Sequence, residues 1–405
     1  MSADHLAETV DRLESVLEQV VGFIYPNEIE LQWSLLIVIY PYITGLVAGA
    51  FILASLEKIM NVKEVTPTYR LSLLTALAFL IVAPLPLLAH LGHIERAHEI
   101  FFTPNLSSAM AMFGFVYAWY LAAVLLLEIW FEYRKDMILW SREESGLKKW
   151  FYRCLALFST DISDEAVAFD HKAARVITMI GIPSAFILHG YVGFIFGSIK
   201  ANPWWSSVLI PIVFLASAIV SGIGMVMLLY MIITPLRYKK IDMVCLNKLA
   251  EFLLLAIIID FSLEMLDFIH RLYEAEESIK ILSQMISSKL MISLVVVQLL
   301  LGTLVPAISL AFFRFTTFPD EIRKLVYFLA GILVQVGIFS TRWNVVIGGQ
   351  LFSKSLRGLT VYKMTFFGLE GLFISIILLV LPFFLLYFLI RILPPWRKAK
   401  EAGQS

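Results

Sequence analysis

The chain is poor in cysteine and in charge. Cys154 and Cys245 are its two cysteines in 405 residues, too few to ligate an iron–sulfur cluster or to build a CxxC-type metal site. Isolated thiols of this kind ordinarily behave as inert small hydrophobes. Only 16% of residues are charged, and 32 basic side chains are balanced by 32 acidic ones. A net charge of zero gives no reason to expect nucleic acid or an acidic partner. The alternation that a membrane β-barrel needs is missing. A basic leader is missing too. The first 25 residues carry Asp4, Glu8, Asp11, Glu14 and Glu18, so no cleavable signal peptide is expected.

What the chain has is hydrocarbon. Sixty per cent of residues are hydrophobic, and apolar windows near 20 residues recur along it. Backbone polar groups inside lipid must be satisfied within the segment, so the expected fold is all-α, a polytopic transmembrane helix bundle. Nine spans are read, at 33–56, 70–91, 108–131, 173–198, 206–234, 247–272, 288–314, 322–341 and 364–391. They could form two four-helix bundles plus an extra helix. Nine spans put the termini on opposite sides. Ten of the 32 lysines and arginines fall on the N-terminal side, Arg342 among them at the start of an external loop. The positive-inside rule then sets the N-terminus outside and the C-terminus in the cytoplasm, here of a bacterial inner membrane.

The domain reading is simple. Residues 1–30 form an external amphipathic helix along Leu6, Val10, Leu13, Leu17, Val20 and Ile24. Residues 31–393 form the membrane domain, and 394–405 a cytoplasmic tail. Within the cytoplasmic connection 132–172, residues 146–158 read as an interfacial helix with aromatic anchors. The external connections 92–107 and 342–363 are long enough to hold an extrinsic subunit. Gly45 with Gly49, and Gly193 with Gly197, give two spans close-packing faces.

The sixth span is the most informative. Asp260, Glu264, Asp267 and Arg271 fall within about 60° of one another on a helix. Each ionisable group at the bilayer centre costs roughly 2.5–3.5 kcal/mol on insertion scales. The stripe therefore faces protein or water, as on a proton route. Asp267 and Arg271 can pair one turn apart, but Asp260 lies too deep for that pair to explain. Glu251 and Glu128, nearer the cytoplasmic ends of their spans, are further candidates for proton transfer. Gln298 and Gln335 are mid-span partners.

A second group gathers near the outer boundary: His90, His93, Glu95 and His98 after the second span, His189 and Tyr191 on the fourth, Tyr117 on the third, and Tyr40, Tyr42 and Thr44 on the first. Imidazole and phenol can donate to a quinone carbonyl and accept from the corresponding hydroxyl. A neighbouring carboxylate or histidine can exchange the proton. His90, His189, Tyr117, Tyr42, Tyr191 and Glu95 are the expected quinone contacts. The same histidines could instead ligate haem b, and the buried carboxylates could serve a proton-coupled secondary transporter.

The stretch 90–130, HLGHIERAHEIFFTPNLSSAMAMFGFVYAWYLAAVLLLEIW, resembles the NrfD/PsrC (polysulfide reductase-like) family of quinone-interacting membrane subunits. Leu91, Gly92, Glu95 and Arg96 match the family's D-L-G-R-P-E-R-like span end, and Asn105, Ser108, Met110 and Gly114 the N-x-x-S-x-M-x-x-G-like start of the next span. His90, His93 and Ile94 stand where Asp, Arg and Pro are usual. Residues 41–56, 189–205, 211–224 and 342–350 are similar to the longer members, the membrane subunits of a periplasmic hydrogenase, of alternative complex III and of menaquinone reductase. The resemblance implies a membrane anchor that binds menaquinone near the periplasmic face. It further implies electron exchange with a periplasmic iron–sulfur subunit, a separate catalytic or cytochrome c subunit, and no haem or cluster in this chain.

Overall fold

A computed structural model describes residue 10 and residues 14–396, apart from 106, 108 and 275–277. Much of the expected N-terminal amphipathic helix (1–9 and 11–13) and most of the tail (397–405) lie outside the described residues.

The described chain is a helix bundle. Eight helices are long and apolar enough to cross a membrane: α1 Leu35–Lys58, α2 Lys63–His90, α3 Met112–Glu143, α4 Asp164–Gly197, α5 Ile210–Leu236, α7 Ile279–Phe315, α8 Asp320–Gln350 and α9 Leu372–Ile392. The remaining expected span, the sixth at 247–272, is also a long helix, α6 Met243–Glu274. Lys248, Glu251, Asp260, Glu264, Asp267 and Arg271 leave it less apolar than the others.

Helices α1 to α4 pack together, α5 to α8 pack together, and α9 lies against α2. The seam between the two groups is the pairing of α1 with α5. Glycine makes it possible: a Cβ on Gly49 would stand 2.0 Å from the Ala218 carbonyl oxygen, and one on Gly222 2.2 Å from the Gly49 carbonyl carbon. Both backbones occupy the space a side chain would need. A similar contact joins Gly302 of α7 to Gly337 of α8. Pro41 sits within α1 and Pro183 within α4 without ending either helix, as neighbouring spans allow.

The face of α6 settles where its charges point. Leu255, Ile259 and Leu266 are exposed, and Asp260, Glu264, Asp267 and Arg271 lie roughly 80–180° around the helix from them. The acidic stripe therefore turns into the protein. The helix ends at one face are tied by a cap. Strand β1 (Val21–Gly22) pairs antiparallel with β2 (Gly358–Leu359). Glu28 accepts from Ser353, and Gln350 accepts from the Trp33 backbone N–H. Trp33 stacks on Trp205 with ring centres 5.1 Å apart, and the Trp205 indole donates to the Val345 carbonyl. At the other face, Gly146–Leu155 is a helix exposing Leu147 and Trp150, in keeping with an interfacial position.

Candidate functional site

The centre of the membrane domain holds a polar cluster that the sequence pattern did not assemble. Gly45 on α1 leaves room for the His189 ring, whose Cε1 would lie 3.2 Å from a Cβ there. His189 is fully buried and stacks against Phe214. Its two nitrogens have distinct partners. The Thr44 hydroxyl donates to the Tyr40 carbonyl, 3.0 Å away, and so can only accept from His189 Nδ1 at 3.2 Å. Nε2 faces Arg342 Nη2 at 3.3 Å, and an arginine can only donate. His189 is thus a neutral imidazole with its proton on Nδ1.

Arg342 is the residue that sequence reasoning missed as a site member. Helix α8 continues past 341, so the side chain lies inside the protein, 0% exposed, and not in an external loop. Its Nη2 donates to Ser217 Oγ at 2.7 Å, and the guanidinium lies 4.2 Å over the Phe214 ring. Nε and Nη1 are buried without a hydrogen-bond partner. The carboxylates within electrostatic reach are Asp260 and Glu264. Asp260 is buried, and its Oδ1 also lacks a partner. Glu264 accepts from the Gln298 amide at 3.2 Å. The Gln298 oxygen in turn accepts from Asn344 at 2.8 Å, and Asn344 accepts from Ser293 at 2.6 Å. These amides orient donors toward Glu264, and Asn344 shares its turn of α8 with Arg342. The signal available in the sequence was a lone arginine one residue beyond an apolar run, with no acidic neighbour to pair it locally.

The expected site residues divide among several places. Tyr42 donates to Gln335 at 2.9 Å, and Gln335 donates to the Ser221 carbonyl. Tyr117 donates to the Leu80 carbonyl at 3.0 Å. The hydroxyls of Tyr191 and Tyr40 are buried with no partner, and the two tyrosines lie in electrostatic reach of each other. Tyr40 lies one turn from Thr44 on α1 and packs edge-on against Phe113, and Tyr191 lies two residues from His189 on the other side of α4. His90 instead bonds Glu370 at 3.0 Å, and Glu95 bonds His93 on an exposed loop. Neither His90 nor Glu95 has a contact that joins it to the His189 cluster. Asp267 is bonded by Arg271 at 2.9 Å and by Ser207, an ion pair at the cap end of α6. Glu251 lies between Lys248 at 3.5 Å and Arg314 at 3.9 Å, at the opposite end.

Glu128 forms a separate buried centre. Its Oε1 accepts from Thr178 at 2.8 Å and from Tyr69 at 3.3 Å, while Oε2 has no partner. Tyr69 lines a cavity of about 1420 Å³ that opens on the face opposite the cap. Lys58, Arg70, Glu132 and Asp136 line it as a paired network, with Lys58–Glu132 at 2.9 Å and Arg70–Asp136 at 2.7 Å. Among the described residues, no group of three or more His, Cys, Asp or Glu side chains is placed to hold a metal ion.

A bundle of long apolar helices enclosing charged groups defines a multi-pass integral membrane protein. The chain belongs to the family described as polysulphide reductase, NrfD, whose model matches residues 26–354. It is 31% identical to the C subunit of selenate reductase from Mesobacillus selenatarsenatis over 324 residues, covering 78% of this chain and 73% of that protein. It is also 28% identical to the membrane C subunit of a putative dimethyl sulfoxide reductase from Halobacterium salinarum over 204 residues, 48% of this chain and 42% of the relative.

Proposed function

We propose that the protein is the quinone-binding membrane anchor of a multi-subunit respiratory oxidoreductase. It exchanges electrons between menaquinone and a periplasmic iron–sulfur subunit. Two named relatives are membrane or C subunits of reductases, which supports a catalytic subunit on a separate chain. The longer members, of the menaquinone reductase and hydrogenase types, supply the expected role. The cap side is then periplasmic, and there β1, β2 and the Trp33–Trp205 stack form a rigid platform for the partner.

The observation that carries this function is the set of buried polar atoms without partners on α1, α4 and α8, the helices that also hold His189 and its partners. Unpaired buried donors and acceptors are costly. Tyr40 and Tyr191 offer two hydroxyls, and Arg342 offers Nε and Nη1. These are donors of the kind a headgroup with two carbonyl oxygens needs, and they come from α1, α4 and α8. Bound menaquinone supplies a couple of two electrons and two protons.

The chain's own residues then have separate tasks. The Arg342 guanidinium holds His189 by Nε2, and Thr44 holds it by Nδ1, so the ring presents one fixed tautomer. Two carboxylates, Asp260 and Glu264, face one guanidinium. One proton on either carboxyl makes the buried cluster neutral, which a dry interior favours. That proton is the one available for transfer. Glu128, reached through Tyr69 from the opposite face, is the intake group of the first bundle. Glu251 and Asp267 stand at the two ends of α6, where each already has a basic partner.

The test is Asp260→Asn in the assembled complex. Quinol-linked turnover is expected to fall by about 100-fold, the scale of losing a positioned proton donor, with every subunit still present in its normal amount. Normal turnover in a complete complex would remove the carboxylate pair from the mechanism.

A further inference from the structure

A second cavity, of about 340 Å³, lies at the face of the bundle opposite the cap. It is lined by the first turns of α6, the last turns of α7, the first turns of α8 and the start of α2. Three cations line it, Lys248, Arg314 and Arg323, together with Asn247 and Tyr327. Two carboxylates line it as well, Glu64 and Glu251. The lining therefore carries one positive charge in excess.

The cations are incompletely used. Glu251 reaches Lys248 only at 3.5 Å and Arg314 only at 3.9 Å, beyond the roughly 2.7–2.9 Å of a charge-assisted hydrogen bond. Arg323 donates through Nη2 to the Phe313 carbonyl at 3.1 Å, but its Nε is buried with no partner. Tyr327 donates to the Asn247 oxygen at 3.2 Å, which leaves the Asn247 amide nitrogen as a further donor. Guanidinium, ammonium and amide donors thus converge on one hollow.

The surroundings say which anion fits. On the same three helices Leu255, Phe312, Ile322 and Leu325 are exposed, an apolar surface beside a polar hollow at the membrane boundary. A phosphodiester carries one negative charge, which matches the excess. Basic hollows between membrane helices on this side are suited to anionic headgroups, and guanidinium is the preferred partner of phosphate.

We propose that this cavity binds the phosphodiester headgroup of an anionic phospholipid, with its acyl chains along the exposed flank of α6, α7 and α8. A lipid here would brace α6, the helix that carries Asp260 and Glu264. The site is independent of the quinone site.

The test uses the full-length protein purified with its natural subunits. Native mass spectrometry would follow phosphatidylglycerol retained after detergent exchange, with phosphatidylcholine or inorganic phosphate as competitor. Retained phosphatidylglycerol is expected to resist both. Arg314→Gln, and separately Arg323→Gln, should weaken retention at least about tenfold, as loss of a charge-assisted contact does. Lys148→Gln, on the interfacial helix, should leave it unchanged. The proposal is overturned if phosphatidylcholine displaces the lipid equally, since the groove then reads only acyl chains. Displacement by inorganic phosphate would overturn it in favour of a soluble anion site. Unchanged retention in both arginine variants, or an equal loss in Lys148→Gln, would overturn it too.

Discussion

At the scale of single residues, Arg342 organises the buried cluster. Its guanidinium is held by His189, Ser217 and the Phe214 ring, and it is the cation facing Asp260 and Glu264. Removing one side of a buried charge cluster costs about 3–5 kcal/mol, because the other side is left uncompensated. Arg342→Met is therefore expected to destabilise the protein by that amount in thermal unfolding. Adding Asp260→Asn should recover part of the loss, since the surplus negative charge goes with it. Additive effects in the double variant would show that the two side chains do not share a cluster. Asp260 and Glu264 were legible from sequence because carboxylates in an apolar run have few explanations. Arg342 was not, because the apolar run stops at 341 while the helix continues, and its partners come from α4, α5 and α6. The partner of His90 was equally hidden. His90 is committed to Glu370, 280 residues away, and no local pattern encodes that.

At the scale of elements, glycine decides how the two halves meet. The contact of Gly49 with Ala218 and Gly222 brings α1 against α5, and this closeness lets Thr44, His189 and Ser217 share one space. Gly222→Leu would place a side chain on the backbone of α1 at the seam. It should cost more than the roughly 1–3 kcal/mol typical of overpacking, read as loss of folded protein in membranes. Wild-type levels and thermal stability in that variant would contradict the seam. The GxxxG pair on α1 signalled a packing face in sequence, and its partner helix became known only from the fold. The nine expected spans are nine long helices, with the charges of α6 setting it apart from the eight apolar ones. Periodicity finds lengths and faces. Register between helices is a tertiary property, which is why the tyrosines left without hydroxyl partners, Tyr40 and Tyr191, could not be separated from Tyr42 and Tyr117 beforehand.

At the scale of the whole molecule, the polar interior has two addresses. Glu128 communicates through Tyr69 with the large cavity at one face. The His189–Arg342 cluster lies nearer the cap, with Asp260 and Glu264 beside it. Membership of the NrfD family and the reductase subunits among the relatives fit a chain that shapes the place where a lipid-soluble carrier is protonated, with the electron-transferring centres on its partners. The most direct measurement is the dissociation constant of a short-tailed menaquinone analogue for the purified, fully assembled complex carrying His189→Leu. Binding is expected to be at least about tenfold weaker than in the wild type, from the loss of a buried hydrogen-bonding group and its fixed partners. An unchanged constant would contradict a quinone site at His189.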